Sequence, residues 1–351
     1  MFTKISTAIL LVALIAPVSE ANNLTSTKKV NNKAVLDNVV LDEVVLDEAL
    51  LKKASKDKST FSTNKTAEQI AKLCFSSKWD KEALLLIAER GFAIENDSER
   101  NNLAKQLVNC LAVPDPKVRD DVAYFGLSKW LRAKELSVDS KHVIFTELIE
   151  NFGKPIPDEH DVYQAFVALV LSEFARADRK SPYLSDKQRE LLVAKSTEYM
   201  VNITDYRGFD EVVGWRHKVA HTADIFLQLA LNPALKKEQL TRLLNAIGEK
   251  IIPHDVHFYT YGEAERLAKP LIYIFLQGQH NSDDWQNWLK RYITPVPFDD
   301  WQQVFSSQQG LARLHNARAF LTTIFVFIAD SKNEQLIMLK PALINALDSL
   351  P

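Results

Sequence analysis

Glycine is scarce in this chain, nine of 351 residues, where about 7% is usual. That scarcity removes the punctuation on which hairpins and phosphate-cradling loops depend, and no Walker-type motif or nucleophile elbow is present. Nucleotide hydrolysis and serine-hydrolase chemistry are therefore poor expectations. A dominant charge sign is missing as well. Lys plus Arg number 43 against 45 Asp plus Glu, and the two signs are interspersed. No basic domain of the kind that grips nucleic acid exists, so a nucleic-acid partner is not expected. Beyond the first residues there is no apolar run long enough to span a bilayer. The nearest, Leu311 to Ile328, is interrupted by Arg313, His315 and Arg318. Cysteine is limited to Cys74 and Cys110. Neither has a His, Lys or Arg arranged beside it, which argues against cysteine catalysis. A disulfide and two buried free thiols are both open to the pair.

The chain does begin with a message. Met1 to Lys4 is a short positive region, Ile5 to Ala16 is apolar, and Ser19-Glu20-Ala21 offers small residues for cleavage before Asn22. This reads as a secretory signal over 1–21, too short to span comfortably, and predicts an exported protein, periplasmic or secreted. Residues 22–60 have a different texture, with pentads at Val35-Leu36-Asp37, Val40-Leu41-Asp42 and Val45-Leu46-Asp47 followed by Lys and Ser. A low-complexity linker is the expectation there. Residues 61–351 are expected to form a single all-α repeat domain.

The helical expectation rests on apolar residues at three and four, as in Ile70, Leu73 and Cys74 or Leu103, Leu107, Cys110 and Leu111. Asp97-Ser98-Glu99 and Asp115-Pro116 are start signals, and Gly91 and Gly153 are stops. The spacing predicts helices over 66–76, 81–90, 98–112, 116–134, 139–152, 159–178 and 185–203. It continues with 210–231, 236–251, 261–277, 282–292, 299–307, 310–329 and 333–349. About 12–14 helices with short connections point to antiparallel hairpins stacked as an α-α superhelix, a solenoid. Asp115-Pro116-Lys117-Val118-Arg119 with Ala123, Leu127 and Leu131 resembles a HEAT-type repeat helix, although no clean period runs through the chain.

Chemistry-bearing residues concentrate between Asp205 and Asp224. Read as one helix, 210–231 places His217, His221 and Asp224 within a wedge of about 60°. Trp215, Val219, Ala223, Phe226 and Ala230 fall opposite, on the expected core side. In a solenoid that polar stripe would line the concave surface. The same stripe is also what an ordinary surface helix shows, or what a buried network from His217 or His221 to Glu263 or Arg266 would produce.

Several blocks together resemble the bacterial family known as domain of unknown function 2785. They are Arg119-Asp120-Asp121 with Ala123-Tyr124 and Trp130; Arg207-Gly208-Phe209; Gly214-Trp215; and His217, Ala220-His221 and Ala223-Asp224. Further blocks are Glu263, Glu265-Arg266-Leu267-Ala268, Asn316, Arg318 and Phe320-Leu321. The resemblance runs from about Ala67 to Asp330, with Thr222 where the family pattern carries glycine. It implies an all-helical, repeat-like fold and no established activity.

The leading expectation is an exported α-solenoid that binds a protein or cell-envelope ligand on its concave face, with no membrane span after signal cleavage. Arg207, Trp215, His217, His221, Asp224, Glu263 and Arg266 are the candidate ligand-binding residues. The alternative is a hydrolase centred on His217, His221 and Asp224, with Glu265 as a further catalytic candidate. A helix face with two imidazoles and a carboxylate could supply three ligands to a divalent metal. Lys218, however, stands where the zincin motif needs Glu, and no cofactor is assigned. His254 and His257 flank Asp255 in a loop that could lend another ligand. Trp285, Trp288 and Trp301 suit packing better than a sugar platform.

Overall fold

Side chains that accept the first unpaired N–H groups decide where most helices of this protein begin. The computed structural model describes residues 65–351, so the expected secretory signal, its expected cleavage point and the pentads of 22–60 lie outside the described residues. All described residues belong to one compact unit.

In chain order the helices are α1 (Ala67–Ala71), α2 (Lys81–Glu89), α3 (Asp97–Cys110), α4 (Pro116–Val118), α5 (Phe125–Ala133), α6 (Val138–Asn151) and α7 (Tyr163–Lys180). They continue with α8 (Asp186–Asn202), α9 (Lys218–Ala230), α10 (Lys237–Ile251), α11 (Glu263–Leu276), α12 (Ser282–Tyr292), α13 (Gln308–Ala329) and α14 (Glu334–Asp348). A π-helical stretch, Arg119–Tyr124, joins α4 to α5. Asn96 caps α3 through the Glu99 N–H, Asp115 caps the Pro116 start, and Ser185 with Gln188 forms a capping box on α8. Gly91 and Gly153 stand just after α2 and α6 at φ +65 and +77, in the left-handed region that closes helices.

The fold is all-α. Helices two apart in the chain lie side by side: α9 packs on α7 and on α11, α11 packs on α13, and α8 packs on α10. Val219, Ala223, Phe226 and Ala230 bury one side of α9, as the helical spacing predicts. Phe166, Phe174, Phe226 and Phe320 are fully buried, each worth about 1.5–3 kcal/mol relative to exposure. Trp285 and Trp288 are buried as well, and Trp288 donates to the Leu244 carbonyl at 3.1 Å, a packing role.

Cys74 and Cys110 form a disulfide that ties the end of the first helical turn to the C-terminus of α3. This settles the choice that the sequence left open. A second internal tie is electrostatic. Asp178, 2% exposed, accepts from the Tyr183 and Leu184 amides at 2.9 and 2.8 Å, from Arg189 at 2.7 Å and from Asn232 at 3.3 Å. That one carboxylate holds α7, α8 and the turn after α9 together.

Three expected helices begin elsewhere. The one expected over 159–178 begins at Tyr163, because the Asp158 carboxylate takes the amides of His160, Val162 and Tyr163 and holds that stretch as a loop. The one expected over 299–307 is reduced to a 3-10 turn, Gln303–Ser306, for a similar reason at Asp300. The third correction bears on the site. Residues 209–217 are not helical: Phe209–Asp210 (β1) pairs antiparallel with Gly214–Trp215 (β2). Asp210 makes this hairpin by accepting the Val212 and Val213 amides at 2.8 and 2.9 Å, with Gly214 at φ +72.

Candidate functional site

The hairpin delivers the chain into α9 through His217, which adopts φ 36 and ψ 41 at the N-cap position. Left-handed backbone at a non-glycine residue costs on the order of 1–3 kcal/mol, and such strain concentrates at functional sites. Its ring stacks on Trp215 with centroids 4.4 Å apart. The His221 ring stands edge-on to it at 5.7 Å, and Phe166 continues the series at 5.2 Å from His221. Beneath Phe166 lies Arg119, fully buried, 4.2 Å from that ring and donating to the Val213 carbonyl at 2.7 Å. The hairpin is thus anchored to the π-helical stretch by a guanidinium.

The expected solvent-facing stripe of His217, His221 and Asp224 is corrected. His217 precedes the helix, both histidines are buried, and Asp224 is tied up in an ion pair with Arg266. His221 directs Nδ1 at the Ala165 carbonyl, 3.1 Å away. A carbonyl only accepts, so Nδ1 carries the proton and Nε2 is left with its lone pair. Burial first, then the neighbouring His217 and Arg266, holds the His221 pKa well below its ordinary value. Burial raises the Asp224 pKa, which Arg266 opposes. Among the described residues no three His, Cys, Asp or Glu side chains come together to hold a metal ion. His217, His221 and Asp224 form no such group among the described residues. His257 of the expected ligand loop lies against Tyr206 instead, at 5.5 Å.

Glu265, the further catalytic candidate, has a side chain 58% exposed that pairs with Lys269 one turn on. Arg207 is held by Asp205 at 2.6 Å and lies 3.5 Å from Asp161, while Lys218 pairs with Asp161. Burial lifts the Asp161 carboxyl to about 6. Thr222, the departure from the family pattern, is fully buried and donates to the Lys218 carbonyl at 2.7 Å.

What the fold does bring together is His217 and Glu263, the first residue of α11. Their side chains are 8% and 2% exposed, with His217 Nε2 3.7 Å from Glu263 Oε1. That separation is too long for a hydrogen bond, and neither atom has another partner. Glu263 Oε2 accepts the Tyr261 amide at 2.9 Å. Burial, reinforced by the Arg266 charge, pushes the His217 pKa down to about 4, and burial raises that of Glu263. At neutral pH the imidazole is uncharged. Arg216, also buried, gives one N–H to Asp210 at 3.2 Å and keeps Nε and the other terminal nitrogen without partners.

Several apolar side chains of the hairpin and of the loop before α11 are exposed: Phe209 by 45%, Val212 by 80% and Tyr261 by 44%, with Trp215 partly so. Tyr261 is 6.0 Å from Trp215 and 6.3 Å from His217, both edge-on. Its ring lies where a Cβ on Gly208 would be, within 2.1 Å, which explains glycine at 208. Sequence reasoning missed Tyr261 because its contact with Gly208 crosses from the hairpin to the loop before α11. The isolated aromatic beside Gly262 was the one available signal.

These features define an all-helical domain with a short hairpin set into it and a strained, buried histidine at their junction. The model of a family described as "Protein of unknown function (DUF2785)" matches residues 148–326, about half of the chain, and the chain belongs to that family. The match starts later than the resemblance suggested, leaving the Arg119 and Trp130 blocks outside it, and covers the hairpin, α9 and α11. No curated protein and no solved structure matches the chain.

Proposed function

We propose that this is an exported helical binding protein whose cell-envelope ligand seats at the junction of the hairpin, α9 and α11. One observation carries the reading: His217 Nε2 and Glu263 Oε1 are buried, face each other at 3.7 Å and have no partner. An unsatisfied buried polar group costs about 1–3 kcal/mol, and folded proteins retain few of them. Here two sit beside a run of partly exposed aromatic side chains: Trp215 and Tyr261 against His217, and Phe209 against Trp215. Apolar side chains around a few convergent polar groups are the usual make-up of a ligand seat.

Export is part of the proposal, resting on the leader sequence of 1–21. The Cys74–Cys110 disulfide supports it, since such bonds persist in oxidising compartments. So is the division into leader, linker and one helical domain over 61–351. The side-by-side packing of helices two apart supports a solenoid in which this junction belongs to the concave face.

The test is affinity capture from a cell-envelope extract, with Tyr261→Ser and Phe209→Ser beside the wild type. Retention by the wild type and its loss in both variants is the expected result. A wild type that retains nothing, or variants that retain as much, would overturn the reading.

A further inference from the structure

We propose that the ligand of this junction is a saccharide, one hydroxyl of which bridges His217 and Glu263 while its ring lies against Trp215 and Tyr261. The inference rests on the binding reading above and names the chemical class of the ligand.

The two orphaned atoms set the requirement. An oxygen placed about 2.8 Å from both His217 Nε2 and Glu263 Oε1, themselves 3.7 Å apart, sits beside their line at an angle of about 80°. A hydroxyl can donate its one O–H to the carboxylate and accept the imidazole Nε2–H on the same oxygen. An amide N–H can only donate and would leave one side unserved in the N–H tautomer of the ring. The surrounding charge points the same way. Arg207, Lys218 and Arg266 already face Asp205, Asp161 and Asp224, so the seat holds little free charge for a phosphate or carboxylate.

The aromatic side chains supply the other half of sugar recognition, since the C–H face of a pyranose is apolar and its rim is polar. Trp215 and Tyr261 stand nearly perpendicular, at 88°, at the partly exposed side of the pair. Tyr261 follows no helix and precedes Gly262, which sits at φ +88. Rotation of Tyr261 off Gly208 uncovers the His217–Glu263 pair, and the sugar ring takes the place that its phenol vacates.

The test uses the full-length mature protein and an envelope extract divided into three parts: untreated, protease-digested, and periodate-oxidised to destroy vicinal diols. The protein is expected to capture ligand from the first two parts and not from the third. Glu263→Gln, which keeps an acceptor for the Tyr261 amide, and His217→Asn are each expected to weaken capture about tenfold. Their circular-dichroism melts establish that they fold. Capture that survives periodate and is lost to protease would overturn the saccharide inference while leaving the binding reading intact. No capture from any part would overturn both.

Discussion

Asp178 and Glu263 are both carboxylates with 2% of the side chain exposed, yet the protein treats them in opposite ways. Asp178 is saturated: two amides, a guanidinium and a carboxamide all donate to it, and through it three helical segments are fixed. Glu263 has one oxygen occupied and the other turned toward an imidazole that it does not reach. A buried charge with all its lone pairs served is an architectural device, because the hydrogen bonds offset its desolvation. A buried carboxylate with a lone pair left over lowers stability where it stands. The contrast separates what this protein spends on folding from what it reserves at the hairpin.

The largest expected effect lies on the architectural side. Asp178→Asn removes the charge opposite Arg189 and is expected to lower the unfolding free energy by about 3 kcal/mol or more, read from urea denaturation. A loss below about 1 kcal/mol would mean that the saturated network is not stabilising in the way described. Reducing the Cys74–Cys110 bond releases a loop with a sequence separation of 36 and is expected to cost about 3–4 kcal/mol in the chain-entropy account. A thermal melt with and without reductant measures it, and equal melts would refute the tie.

The next effect belongs to the hairpin side and depends on pH. His217 is held neutral, with its pKa near 4 against the ordinary 6.5. The unfolded chain therefore takes up a proton that the folded chain refuses. The contribution is whole above about pH 6.5 and is lost as pH falls toward 4, with a limiting slope of about 1.4 kcal/mol per pH unit. Comparing wild type with His217→Asn over that window isolates the slope from the other buried groups. Parallel curves would contradict the burial of a neutral imidazole. Smaller still, Gly208→Ala drives a Cβ into the Tyr261 ring and is expected to cost about 1–3 kcal/mol. Its near-ultraviolet circular dichroism should change as Tyr261 leaves Trp215, and an unchanged spectrum would refute the contact.

The same contrast explains what was legible in the sequence. Helix starts at Asp97 and Pro116 and stops at Gly91 and Gly153 are local signals, and the structure places helix ends there. The hairpin hid because His217, His221 and Asp224 happen to fall at helical spacing across a boundary. Asp210 followed by Gly214 was the local clue to a turn, and the helical pattern outweighed it. Partners were legible only in part. A buried approach of His217 to Glu263 was among the readings the spacing left open, whereas Asp224 with Arg266 and Gly208 with Tyr261 are contacts between elements brought together by packing. Glu265 stands in the first turn of α11, where its charge reaches solvent.

The most direct test of the central claim is the unfolding free energy of Glu263→Gln, measured by urea denaturation beside Asp178→Asn. If Glu263 is kept for a ligand, the neutral isostere leaves stability within about 1 kcal/mol of wild type or raises it, because the oxygen that loses its charge had no partner. A loss comparable to that of Asp178→Asn would show that Glu263 belongs to the architecture, and the junction would lose its claim to be a binding site.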